Sequence, residues 1–250
     1  MVVGLIGAGN MARALARGWN RPVLVCDALA ERAQELARET GGEALATNAE
    51  VARRADLVVL CHKPPGLAAV AAEVAPHAKA VASILGGVSL SDLKAAYPDR
   101  PVYRLLPSTP VEVRQGAVIL AADDEQDPDL DARLRALLGE LGTLVVLPDG
   151  LVDVAMGLMS NAPAYYALVA EAQIDAGVRR GLTPDQAARL VVQTMTGTAE
   201  LLTRAGFDTL AVRRAVTSPG GSTARGLDAL ERGGVRAAFS DALDAILRSE

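Results

Sequence analysis

Along the first 148 residues, short apolar runs alternate with stretches whose apolar positions recur every three to four residues. The runs at 2–6, 23–26, 57–61, 80–84, 102–105, 117–120 and 144–147 predict strands; 11–19, 30–39, 67–74 and 129–141 predict helices. Near-continuous apolar strands separated by amphipathic helices imply a mostly parallel sheet covered on both faces. After Pro148-Asp149-Gly150 the pattern turns wholly helical. Residues 151–181 read as one long helix with a break near Asn161-Ala162-Pro163, and Thr183-Pro184 as an N-cap followed by proline at N1. Further helices are expected at 185–205, 208–217, 223–232 and 235–248. The expected fold class is α/β: an N-terminal Rossmann-type doubly wound sheet over 1–149, then an all-helical C-terminal domain over 150–250.

One turn changes this from architecture to chemistry. Ile6 closes the first strand, and Gly7-Ala8-Gly9-Asn10-Met11-Ala12 fits G-x-G-x-x-A between that strand and a helix. Gly7 permits a tight turn, Gly9 lets a pyrophosphate approach the backbone, and Ala12 lets the helix pack close to the sheet. The helix start offers free N–H groups to phosphate. Asp27 stands twenty positions after Gly7, where a carboxylate accepts hydrogen bonds from adenosine ribose hydroxyls. It also suits an N-cap for the following helix. A carboxylate there repels a 2′-phosphate, so the expected cofactor is NAD(P)H with NADH favoured; Arg32, one turn on, can still reach a phosphate.

Composition narrows the partners. Net charge is −5 and 50% of residues are hydrophobic, which is globular and not basic enough for a nucleic-acid binder. No apolar run reaches the roughly 18–20 residues of a bilayer span, and the N-terminus lacks the features of a signal peptide. The two cysteines, Cys26 and Cys61, read as reduced core thiols, so a cytoplasmic protein is expected. Cys61-His62 finds no partners at metal-ligand spacing, and no metal is expected. With only 3% aromatics, the helical domain is Ala-rich on several faces, and homodimerisation is the expected way to bury them; a self-contained bundle is the alternative.

Several further segments resemble one family over essentially the whole chain, the pyrroline-5-carboxylate reductases. They are the opening glycine-rich turn, Asn48 with Glu50, Asp56, the Lys63-Pro64 pair, and RLLPSTPVEVRQGA at 104–117. Pro163-Ala164-Tyr165, the closing helix at 237–248 and, most specifically, VTSPGGST at 216–223 complete the set. The resemblance implies reduction of a cyclic imine to L-proline by NAD(P)H. It adds Asn48, Lys63, Pro64, Pro107 and Ser108 to the cofactor side, and assigns Ser218, Gly220, Gly221, Ser222 and Thr223 to the substrate. The chain also departs from the family. Ser108 stands where Asn is usual, Met159-Ser160-Asn161-Ala162 replaces a Ser-Gly-Ser-Gly run, and Asp27 stands where Arg is frequent.

Residues 151–250 contain no Lys, His or Cys, so the helical domain offers no Schiff-base lysine, imidazole base or thiolate. Hydride addition to a protonated imine needs only orientation and one shared proton, for which a hydroxyl suffices. Thr223 is the expected catalytic hydroxyl, with Tyr165 as the other candidate. Taken alone, the Ser218–Thr223 turn reads as an ordinary Pro-Gly turn capping a helix; with the resemblance it reads as a backbone nest for the substrate carboxylate. An imine or ketone reductase with another substrate, and a nucleotide-sensing protein without catalysis, are the alternatives.

Overall fold

The computed structural model describes residues 1–247; Arg248, expected in the last helix, lies outside the described residues. Among these, eight strands form one sheet in the order β3-β2-β1-β4-β5-β6-β7-β8. They are β1 (Val3–Ile6), β2 (Leu24–Cys26), β3 (Glu43–Ala44), β4 (Leu57–Leu60), β5 (Val81–Ser83), β6 (Val102–Pro107), β7 (Gly116–Ala121) and β8 (Gly142–Leu147). Every pairing is parallel except β6 with β7.

Helices cover both faces, as the uninterrupted apolar strands require. Apolar residues of α1 (Asn10–Trp19), α2 (Ala30–Thr40) and α6 (Pro128–Gly139) pack on one face around Leu5, Val25, Val59 and Leu105. On the other face, α3 (Asn48–Arg54), α4 (Leu67–Val74), α5 (Leu90–Ala96) and α7 (Val152–Met159) pack around Ile6, Val58, Leu60 and Val81. The periodicity missed β3, α3 and α5, which are too short to show a helical or alternating repeat. Both helices nonetheless carry capping boxes, Thr47 with Glu50 and Ser89 with Asp92. The chain runs outward through β2 and β3, then returns to β4 on the other flank of β1. That reversal opens a crevice beyond the carboxyl ends of β1 and β4.

The chain divides into two compact units, Met1–Pro163 and Ala164–Glu250. Helix α7 belongs to the first of them, although it follows residue 149. Val152 is fully buried in the sheet core. The guanidinium of Arg104, buried on β6, donates to Asp149 Oδ1 at 2.9 Å and to Asp153 Oδ1 at 2.7 Å, which holds the start of α7. The expected long helix is interrupted where Asn161 and Pro163 stand, giving α7 and α8 (Ala162–Val178).

The second unit continues through α9 (Pro184–Arg204), α10 (Thr209–Ala215), α11 (Ser222–Arg232) and α12 (Val235–Leu247). Thr183 caps α9 through its side chain, with Pro184 at N1. Among the described residues of this unit only Ala187 is buried, while Tyr166, Leu168, Leu190, Val192, Phe207 and Phe239 are exposed. A helical unit without a core of its own needs another surface to cover its apolar faces. No helix of the described residues is long and apolar enough to cross a membrane.

One core position yields a stability prediction. Tyr97, at the end of α5, is fully buried, its hydroxyl has no hydrogen-bond partner among the described residues, and burial pushes its pKa up. An orphaned polar group costs about 1–3 kcal/mol. Tyr97→Phe removes it with little change of shape, and thermal unfolding should show a neutral or raised Tm. A loss of more than about 1 kcal/mol would mean that the hydroxyl has a partner after all.

Candidate functional site

The glycine-rich turn leaves β1 and enters α1 directly over the crevice. Gly7 sits at φ +107°, donates its N–H to Cys26 O at 2.7 Å, and comes so close to the end of β4 that an added Cβ would lie 2.8 Å from the Cys61 carbonyl. Gly9 is different. It is the extended N-cap of α1, and an added Cβ would meet nothing within 4 Å. No side chain caps α1 and no acid stands in its first turn, so the N–H groups beyond Gly9 remain available to an anion.

Asp27 faces this turn from the end of β2. Its Oδ2 accepts the Ala8 N–H at 2.6 Å and its Oδ1 accepts the Leu29 N–H at 2.8 Å. The carboxylate therefore staples the glycine-rich turn to the β2–α2 loop while keeping its charge at the crevice. Leu29, not Asp27, is the N-cap of α2.

A cleft of about 290 Å³ brings the expected cofactor residues Ile6, Gly7, Gly9, Asp27, Asn48 and Lys63 together with Arg32. Cys26, Ala28, Cys61, His62 and Val70, which the sequence did not mark for this site, complete its wall. Asn48 is the first residue of α3, fixed by the Thr47–Glu50 box, and Lys63 ends the loop ahead of the Pro64–Gly66 3-10 turn. Arg32 has no side-chain partner among the described residues. Burial lowers the His62 pKa, and its Nδ1 lies 2.8 Å from Lys63 O. Burial pushes both the Cys26 and Cys61 thiols up, so neither is a thiolate near neutral pH. No group of three potential metal ligands occurs among the described residues.

Pro107 and Ser108 do not line this cleft. Ser108 is buried, and its hydroxyl donates to Ala117 O at 3.2 Å and accepts the Ala117 N–H at 2.9 Å, clasping the end of β6 to β7.

The second unit holds the other expected site. Gly220 adopts φ +69°, and Gly221, the N-cap of α11, offers no side-chain cap. The Gly221 N–H already donates to Ser218 O at 3.1 Å, so it is committed to the turn and unavailable to a ligand. The N–H groups of Ser222 and Thr223, in the first turn of α11, lack intrahelical acceptors. Arg225 Nη1 reaches back 2.8 Å to Gly220 O, a latch no sequence signal marked. Thr223 is half-buried and its hydroxyl has no partner among the described residues; Tyr165, on α8, is likewise half-buried.

Comparison with known proteins gives two family matches. A family described as "Pyrroline-5-carboxylate reductase dimerisation" matches residues 149–250, and one described as "NADP oxidoreductase coenzyme F420-dependent" matches residues 2–87. The Thermus thermophilus pyrroline-5-carboxylate reductase is 38% identical over 99% of this chain and 97% of its own length. The crystal structure of the Streptococcus pyogenes enzyme superposes with a TM-score of 0.88 at 29% identity, covering 98% of this chain and 96% of that one. The Plasmodium falciparum enzyme, solved with NADP bound, gives 0.87 at 25% identity over 98% and 95%.

Proposed function

The chain belongs to the pyrroline-5-carboxylate reductase family, and on that premise we propose that it reduces pyrroline-5-carboxylate to L-proline with NAD(P)H. The geometric observation that carries this reading is the turn at Gly9, where an added Cβ would meet no atom within 4 Å, backed by the uncapped start of α1, an arrangement suited to binding phosphate. When bound, the reduced nicotinamide supplies a hydride to the imine carbon, and the ring nitrogen ends with one proton.

The chain's own residues bind and orient. Gly9 and the first turn of α1 hold the phosphates; Asn48, Lys63 and the Asp27 staple shape the adenosine end. Thr223 offers its hydroxyl to the ring nitrogen, and the N–H groups of Gly220, Ser222 and Thr223 take the substrate carboxylate. The hydroxyl of Ser108 is held by Ala117, so its replacement of Asn gives no support to a different substrate. Residues 150–250 serve substrate binding and dimerisation, which accounts for the exposed apolar helices. We place the enzyme in the cytoplasm, where reduced thiols and the NAD(P)H pool coincide. Proline formation from pyrroline-5-carboxylate, assayed with NADH and NADPH in parallel, tests the reading directly; no product with either cofactor sinks it.

NADH is the preferred donor in this reading, because the Asp27 carboxylate stands at the cleft where a 2′-phosphate would lie. Ala28→Arg adds a phosphate partner and leaves both backbone bonds of Asp27 in place. The ratio of kcat/KM for NADPH over NADH should rise by about tenfold. A wild type that already strongly prefers NADPH would assign the phosphate to Arg32 instead.

A further inference from the structure

The two edges of the sheet are built differently. β3 is two residues long and carries Glu43, whose carboxylate receives Arg54 Nη1 at 2.9 Å. Shortness and charge are the usual protection of an open edge against pairing with another chain. β8 has neither. It runs for six residues without a charge or proline and, among the described residues, pairs only with β7, so its outer row of N–H and C=O groups has no strand partner there. Val145 and Val146, successive residues on opposite faces, are each 40% exposed.

The exposed apolar surface continues along the chain. Leu151, in the 3-10 turn after β8, is 49% exposed, and Leu158 on α7 is 65% exposed. Both belong to the first compact unit. Both also fall inside residues 149–250, the segment matched by the dimerisation family. Strand β8 ends at Leu147, two residues before that segment begins.

We propose that the interface with a second copy of this chain extends onto the first unit and covers the β8 edge, Val145 and Val146 included. This inference rests on the reading that the chain dimerises through residues 149–250. An uncharged, unprotected strand of this length is an aggregation hazard unless something covers it, and the segment matched by the dimerisation family begins two residues after the strand ends.

Val146→Lys places a charge on an exposed position and spares the core. Sedimentation equilibrium of the full chain should show dissociation constants raised at least tenfold, with circular dichroism unchanged. Val2→Lys, exposed ahead of β1, should leave assembly as in wild type. In the wild type, hydrogen exchange of the β8 amides should slow as concentration rises through the assembly transition. Val146→Lys assembling like wild type, with β8 amides exchanging at a rate independent of concentration, overturns the proposal. If Val192→Lys on α9 breaks the assembly in that same case, dimerisation through the helical unit stands and only its extension to β8 falls. A wild type that stays monomeric at micromolar concentration removes both.

Discussion

Gly9→Ala should leave the fold intact and remove most dinucleotide affinity. Gly9 has φ −74°, a conformation that alanine adopts freely, and the added methyl would meet no protein atom within 4 Å. In the proposed site, that empty space is where a pyrophosphate would come within hydrogen-bond distance of the α1 N–H groups. A methyl there holds the phosphate off one or two charge-assisted hydrogen bonds, each about 1.5–3 kcal/mol. NADH affinity, read by quenching of Trp19 or by calorimetry, should weaken by about 10²-fold, with Tm unchanged. Gly7→Ala supplies the contrast. Its φ of +107° and the 2.8 Å approach to the Cys61 carbonyl make that methyl a strain on the protein itself, and Tm should fall before any cofactor is added. Equal effects of the two substitutions on Tm would show that Gly9 is structural, and that the cradle lies elsewhere.

The contrast between the two glycines explains what the sequence could and could not reveal. G-x-G-x-x-A at a strand–helix junction has one geometry compatible with its residues, so the turn and its place after β1 were legible. The role of Asp27 was only half legible. Its distance from Gly7 marked it as an acceptor for the adenosine ribose or as an N-cap; Leu29 takes the N-cap, and the bond to the Ala8 N–H depends on how β2 lies beside β1, which spacing alone does not fix. Ser108 shows the same limit more sharply. The resemblance put it on the cofactor side, and neither it nor any local pattern showed that the antiparallel pairing of β6 and β7 brings Ala117 against its hydroxyl. Short helices escaped the periodicity because seven residues make barely two turns; their capping boxes were the available signal. Arg225 was invisible for another reason: its partner is a backbone carbonyl made accessible by the left-handed Gly220.

The largest catalytic effect is expected at Thr223. Thr223 is half-buried and its hydroxyl has no partner among the described residues, it stands in the uncapped first turn of α11, and its unit contains no Lys, His or Cys to take the role. Thr223→Ala should lower kcat and kcat/KM together by about 10–10³-fold, the loss expected for one hydrogen bond that tightens as charge shifts at the ring nitrogen. Stability and NAD(P)H binding should stay near wild type, because the side chain holds no hydrogen bond among the described residues and the proposed cofactor cleft belongs to the other unit. Thr223→Ser keeps the hydroxyl and should recover much of the rate. Tyr165→Phe separates the two candidate hydroxyls. Should Thr223→Ala turn over normally while Tyr165→Phe is inactive, the proton partner is Tyr165. Should both variants remain active, the imine arrives already protonated, and the Ser218–Thr223 turn acts through its backbone N–H groups alone. Those groups can be tested in turn: Gly220→Ala forces a side chain into φ +69°, and it should raise KM for the carboxylated imine more than it lowers kcat.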